Sequence, residues 1–239
     1  MNLVIDVGNT SIKTGLFEKG ALKEKQSFET DSFLNSFLQK TSVDNLLVSS
    51  VTGNAEAIIR QVTASGKKLS LHTTLPLPII NRYATPQTLG LDRLAAACGA
   101  WQLFTNQPSL VIDIGTCINY EFVNAKGEYM GGSISPGVKM RFEAMHHFTA
   151  KLPRAAPATA ALLTGDSTTT CLQSGVMNGI LEEIKGIVVR YEIEYPGLRV
   201  ILCGGDGHFF ENHLNPSIFV APELVLMGLN SILSYNVTS

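Results

Sequence analysis

Leu3-Val4-Ile5-Asp6-Val7-Gly8 near the start of the chain returns as Leu110-Val111-Ile112-Asp113-Ile114-Gly115, with Thr10 and Thr116 close behind each copy. In both, an unbroken apolar run reads as a buried central strand, and glycine then breaks it into a turn. A second β-rich run follows each turn, over 11–17 and 118–123, so each copy opens as a hairpin. Glu18-Lys19-Gly20 and Asn124-Ala125-Lys126-Gly127 mark the next turns, each leading into a third strand. A three-stranded meander therefore occurs twice, and the chain divides into two similarly built halves, 1–105 and 106–239.

Outward from these meanders, helical spacing alternates with short strands. Residues 92–104 are Ala-rich and apolar on one face, and 174–195 carry apolar residues at roughly helical spacing. The runs 45–51 and 200–203 read as parallel strands, the second ending in Gly204-Gly205-Asp206-Gly207. The class is α/β, with mixed sheets flanked by helices. The Ala- and Pro-rich stretch 151–161 reads as a surface loop.

A chain of 239 residues with 45% hydrophobic and 16% charged side chains has the balance of a folded globular protein. Its net charge of -2 offers no long-range attraction for nucleic acid or an anionic membrane surface. Cys98, Cys117, Cys171 and Cys203 are widely spaced, without a C-x-x-C pair, which argues against a zinc site or a disulfide framework. The N-terminal apolar run reaches Asp6 too soon for a signal-peptide core or a membrane span. A cytoplasmic location is the expectation.

Three places carry possible chemistry. Asp6-Val7-Gly8-Asn9-Thr10, with Lys13 shortly after, sets a carboxylate at a strand end beside a turn whose backbone N–H groups can approach phosphate. Lys13 reaches toward the same anion, and Asp6 is suited to hold Mg²⁺ through water. An ordinary β-turn stabilised by Asp and Asn is the competing explanation. The repeated turn at Asp113-Ile114-Gly115-Thr116 favours a ligand, since two such turns facing one another suit a nucleotide's phosphates.

Gly90-Leu91-Asp92-Arg93 precedes an apolar helix, so Asp92 falls in a first turn whose exposed N–H groups favour a charged carboxylate. Such a group can accept a proton from a substrate hydroxyl, and Arg93 can pair with a substrate carboxylate through two N–H groups. Plain helix stabilisation is the alternative. Gly165-Asp166-Ser167-Thr168 reads as a capped helix start, and Gly131 to Gly137 as a turn-rich stretch that permits close backbone approach. His146 and His147 are neighbours that point in different directions on a helix and find no further ligand, which predicts solvation or packing.

Taken in order, Asp6 to Thr10, Gly90 to Arg93, Asp113 to Thr116, Gly131 to Gly137 and Gly165 to Gly175 resemble the type III pantothenate kinases over nearly the whole chain. Pro222-Glu223-Leu224-Val225-Leu226-Met227-Gly228 also resembles that family's last helix. The resemblance implies a duplicated ribonuclease-H-like, actin-like ATPase fold and a homodimer. It implies ATP-dependent phosphorylation of the primary hydroxyl of pantothenate, the first step towards coenzyme A, with Asp92 as general base. Tyr83, Gly90, Leu91, Asp92, Arg93 and Thr168 would line the pantothenate site. Asp6, Val7, Gly8, Asn9, Thr10, Ser11, Ile12, Lys13 and Thr116 would bind ATP with Mg²⁺. Asp113 would hold a monovalent cation, K⁺ or NH₄⁺. Cys117, Asn119 and Glu121 depart from the family pattern, which has small residues, Thr and Asp there more often. A kinase for another small hydroxyl substrate, or a nucleotide-binding accessory protein, are the alternatives.

Overall fold

Leu3, Val4 and Ile5 are fully buried because β1 (Asn2–Val7) lies in the middle of a five-stranded sheet with packing on both faces. The structure, a computed structural model, describes residues 1–8, 11–29, 34, 37–38, 41–51, 53–215 and 217–238. β2 (Ile12–Glu18) and β3 (Ala21–Phe28) continue from β1 as an antiparallel meander, turned at Lys19 and Gly20, which both have positive φ. On the other side of β1, β5 (Asn45–Ser50) and then β7 (Lys68–Ser70) are added in parallel. The short strands β4 (Ser42–Val43) and β6 (Thr63–Ala64) pair separately.

Side chains alternate along β1, and the two faces have different roles. Leu3, Ile5 and Val7 point into a core shared with Leu46, Val48 and with Ile58 and Ile59 of α1 (Ala55–Gln61). Val4 faces the opposite core, where α2 (Leu91–Leu103) and α5 (Leu224–Thr238) supply Leu94, Ala95, Leu226 and Leu229. Asp6 comes after Val4 on that second face, at the strand's C-terminal end.

The second sheet repeats the plan in the order β13-β12-β9-β10-β11. Its centre is β9 (Ser109–Ile114), followed by β10 (Cys117–Val123) and β11 (Glu128–Pro136). β12 (Arg199–Cys203) joins β9 in parallel, and β13 (Phe219–Val220) joins β12 in parallel. The 27-residue α4 (Thr168–Glu194) presents Leu172, Val176, Ile180, Ile184 and Val188 to Leu110, Ile112 and Ile114, with Val138 and Phe142 of α3 (Val138–His147). The edge pairing of β8 (Ile80–Asn81) with Glu128 and Tyr129 completes the strands.

Two compact units result: 1–106 with 123–130 and 223–239, and 107–122 with 131–222. The expected strands are present, as are the helices expected over 92–104 and 174–195. The long helix starts at Thr168, earlier than its apolar spacing suggests, because hydroxyls of Ser167 and Thr170 form a reciprocal capping box and its first turn needs no apolar face. The stretch 151–161 contains no helix or strand.

The site depends on how α2 is held. It packs on α5 through small residues: a Cβ on Gly228 would overlap the Ala95 carbonyl, and one on Gly99 would come within 2.6 Å of the Leu224 carbonyl. The two backbones touch where ordinary side chains would separate them. We expect Gly228→Ala to destabilise the protein by about 1–3 kcal/mol through overpacking. Gly179→Ala, where an added Cβ meets nothing within 4 Å, is expected to stabilise α4 by roughly 0.5–1 kcal/mol. Urea unfolding of both variants checks this; equal midpoints would refute the tight α2–α5 contact.

Candidate active site

The register of the first sheet assembles one side of the site. Asp6 is paired directly with Lys13 on β2 and with Ser49 on β5, so the three side chains stand on one face at the ends of adjacent strands. That face is the one covered by α2, whose first turn holds Asp92. Asp92 lies close enough for its charge to act on Asp6.

Burial, the largest influence, raises the Asp6 carboxyl to about 6, and repulsion from Asp92 adds to it; Lys13 and Ser49 oppose the shift. Ser49 Oγ is buried without a hydrogen bond of full geometry, yet lies near enough to ease the charged form of Asp6. Two carboxylates and a lysine thus meet where one strand end faces one helix start. Such a group disfavours its own double negative charge and favours an incoming cation.

Gly90 caps α2 with φ −60° and ψ 133°, values open to any residue, so its small size rather than its flexibility is needed. A Cβ there would come within 2.5 Å of Asp92 Oδ1. That oxygen accepts the backbone N–H of Arg93 at 2.9 Å, which folds the carboxylate back over the helix start. Arg93 is buried, its guanidinium 5.6 Å from the centre of the Tyr83 ring. Leu91 packs partly against the core that Tyr83 also touches.

Around the first glycine turn, Gly8 donates its N–H to Ser11 at 3.1 Å, closing the hairpin. Val7 and Ile12 direct their side chains into the core, so only their backbones are available to a ligand. Asn9 and Thr10 lie outside the described residues.

Asp113, Thr116 and Thr168 belong to the second unit. Asp113 is half-buried and register-paired with Cys203, and Thr116 is exposed on a tighter turn, closed by Gly115 N–H donating to Cys117 at 2.9 Å. Glycines press on this turn from two directions. Gly137 donates to the Thr116 carbonyl at 3.2 Å, and Gly204, with φ +88°, leaves no room for a Cβ beside Asp113 and Ile114. Asp206 donates its N–H to Ile114 at 2.9 Å, and burial raises its carboxyl while His208 opposes the shift.

Thr168 begins α4 at the rim of an open hollow of about 640 Å³ lined also by Gly165, Asp166, Ser167 and Cys171. His146 faces the Leu152 carbonyl at 2.8 Å, and the exposed His147 lies edge-on against Phe148, within the solvation or packing expected of them. Among the described residues no cluster of three or more His, Cys, Asp or Glu has the arrangement of a metal site, and no helix is long and apolar enough to cross a membrane.

Sequence spacing does not single out Ser49 or the Gly204–Asp206 turn as parts of these sites. Ser49 sits at the C-terminal end of the parallel strand β5 and the Gly204–Asp206 turn follows the parallel strand β12, where α/β sheets gather ligands. That position is the available signal.

A type III pantothenate kinase family model matches residues 2–190. A type III pantothenate kinase of Cytophaga hutchinsonii is 45% identical over 240 residues, covering 99% of this chain and all of that one. Among solved structures, a Campylobacter jejuni protein described as a Baf-family transcriptional activator has a TM-score of 0.66 at 20% identity, covering 99% of this chain and 100% of that one. A Sinorhizobium meliloti protein described as a 2-dehydro-3-deoxygalactonokinase has a TM-score of 0.55 at 12% identity, with 99% of each covered. These structural likenesses bear on the fold, which is that of the actin-like ATPases and sugar kinases.

Asp6 gives a pH test. Its folded pKa of about 6 exceeds the ordinary 3.8, so the fold favours the protonated form. Its stabilising contribution is complete below about pH 4 and is lost as pH rises through about 6. Asp6→Asn should match the parent near pH 4 and exceed it by roughly 1–3 kcal/mol above pH 7 in the ligand-free protein. Chemical unfolding at several pH values tests this; a constant difference would rule out the shift.

Proposed function

The chain belongs to the type III pantothenate kinases, and we propose that Asp92 is the general base of its reaction, with Arg93 holding the substrate's carboxylate. The protein transfers phosphate from ATP to pantothenate on the path to coenzyme A. The observation that carries the residue assignment is the meeting of Asp6 and Asp92 at one strand end and helix start, with Lys13 on the same face.

The proposed roles come from chemistry. A primary hydroxyl is a weak nucleophile until a base takes its proton, and a carboxylate within reach can accept it as the oxygen attacks the γ-phosphorus and ADP departs. The position of Asp92 in the first turn of α2, with its carboxylate held against the Arg93 N–H, supports this role. Arg93 offers a planar guanidinium that matches a carboxylate, fixing the substrate's far end. Tyr83, Gly90, Leu91 and Thr168 complete the pantothenate site in this reading.

ATP falls to Asp6 through Lys13 and to Thr116. Lys13 would supply positive charge for the phosphates, and Asp6, crowded by Asp92, would hold the Mg²⁺ that accompanies ATP. Asp113 is assigned the monovalent cation, K⁺ or NH₄⁺. Its carboxylate lies against the Gly204 backbone beside Ile114, a setting of oxygen donors suited to a hard cation. A homodimer in the cytoplasm completes the proposal.

With ATP, Mg²⁺ and K⁺ present, Asp92→Asn is expected to lower kcat by about 10²–10⁴-fold while the melting curve stays cooperative. Undiminished turnover would remove Asp92 from the base role. Replacing K⁺ by Na⁺ should lower both activity and melting temperature of the parent protein, and Asp113→Ala should abolish both differences. Equal behaviour of the parent in the two salts would reject the cation site.

A further inference from the structure

Arg93 and Tyr83 do not stand alone. The Tyr83 ring, itself beneath the Arg93 guanidinium, stacks on Tyr129, with ring centres 6.1 Å apart and planes 21° apart. Tyr129 is completely buried, and it belongs to β11, far in sequence from the helix that bears Arg93. A column of guanidinium, half-buried ring and buried ring therefore runs from the proposed substrate site into the core of the first unit.

The backbone delivers Tyr83 to this column. β8 pairs in parallel with the start of β11, Ile80 opposite Glu128 and Asn81 opposite Tyr129. Ile80 donates its N–H to Gly127 at 2.8 Å, and Arg82 donates to the Tyr129 carbonyl at 2.9 Å. Tyr83 N–H is held by Asn81 Oδ1 at 2.9 Å. Outside the column, Arg82 donates through Nε and Nη2 to Glu128 Oε1 at 2.9 and 2.7 Å, and Asn124 donates to the other oxygen at 2.8 Å. The segment carrying Tyr83 is thus tied to the strand that carries Tyr129.

We infer that Tyr129 is a positioning residue for pantothenate: acting through Tyr83, it fixes the plane of the Arg93 guanidinium that receives the substrate's carboxylate. The inference rests on the pantothenate assignment of Arg93. Physically, stacking uses the face of a guanidinium and leaves its rim of N–H groups to make hydrogen bonds in a defined plane. A bidentate pair with a carboxylate depends on that plane. Tyr83 alone, just beyond a two-residue edge strand and partly exposed, is free to tilt; a buried ring beneath it removes that freedom. Because the column of rings ends at Arg93, the effect falls on pantothenate.

The test uses the full chain, with steady-state constants measured separately for pantothenate and ATP. Tyr129→Leu is expected to raise the KM for pantothenate about threefold to tenfold, as befits loss of one aromatic pair, while the KM for ATP moves less than twofold. Tyr129→Phe should restore the parent values, since the ring and not the hydroxyl does the positioning. Glu128→Gln, a change at the surface end of the strap, should raise the pantothenate KM in the same direction by a smaller factor, and it keeps the question answerable if Tyr129→Leu does not fold. Arg93→Gln serves as reference. A raised pantothenate KM in Arg93→Gln with unchanged values in Tyr129→Leu and Glu128→Gln overturns the positioning role alone. So does an equal rise for both substrates, or a Phe variant as impaired as the Leu one. An unchanged pantothenate KM in Arg93→Gln overturns the substrate assignment and the positioning role with it.

Discussion

Asp6 is a carboxylate placed where a sheet has little water to offer it. It stands at the end of a central strand whose preceding residues are fully buried, on the face that α2 covers. Desolvation and the neighbouring Asp92 both oppose its charge. The counterweights are local and come from sheet register: Lys13 from the antiparallel neighbour and Ser49 from the parallel one. Moving either strand by one residue would turn those side chains to the other face and leave Asp6 unsupported.

The same constraint explains the helix above it. A second carboxylate near Asp6 is unfavourable unless its position is enforced, and the enforcement is in α2. Gly90 leaves room for the Asp92 carboxylate to fold back onto the Arg93 N–H, and Gly228 lets α5 lock α2 by direct backbone contact. The C-terminal helix, distant in sequence from every proposed site residue, therefore sets the height of Asp92 over the sheet. Electrostatic crowding of this kind holds its geometry because the surrounding packing fixes both carboxylates.

Much of this is readable from sequence because it is written in repeated local patterns. Two copies of an apolar run, Asp and Gly give two hairpins with their strand ends, and Gly90 to Arg93 announces a helix start with an acidic first turn. Cross-strand and stacking relations are not readable in that way. Ser49 is recognisable as a neighbour of Asp6 only once the parallel register is known. Tyr129 joins Tyr83 only because β8 adds to the edge of β11, a two-residue pairing with no periodicity to detect. Thr168 is visible as part of a cap, but the hollow beside it depends on packing between α4 and residues Met145 and Leu152.

The glycines that mark the two turns also act differently from the way their spacing suggests. A glycine after a strand invites a phosphate cradle built on its own N–H, yet Gly8 N–H is given to Ser11 and Gly115 N–H to Cys117. Each closes its hairpin, and neither has positive φ. The recurrence of glycine is thus first a requirement of the duplicated meander. The copies part company beyond the glycine: the first turn is one residue longer and leads to Lys13, whereas the second leads to Asn119 and is pressed by Gly137 and Gly204. A lysine paired with Asp6 suits polyphosphate, and a half-buried Asp113 without a lysine at the matching place suits a small cation. One repeated hairpin therefore presents two different chemical settings, because both the turn and the residues beyond its glycine differ between the copies.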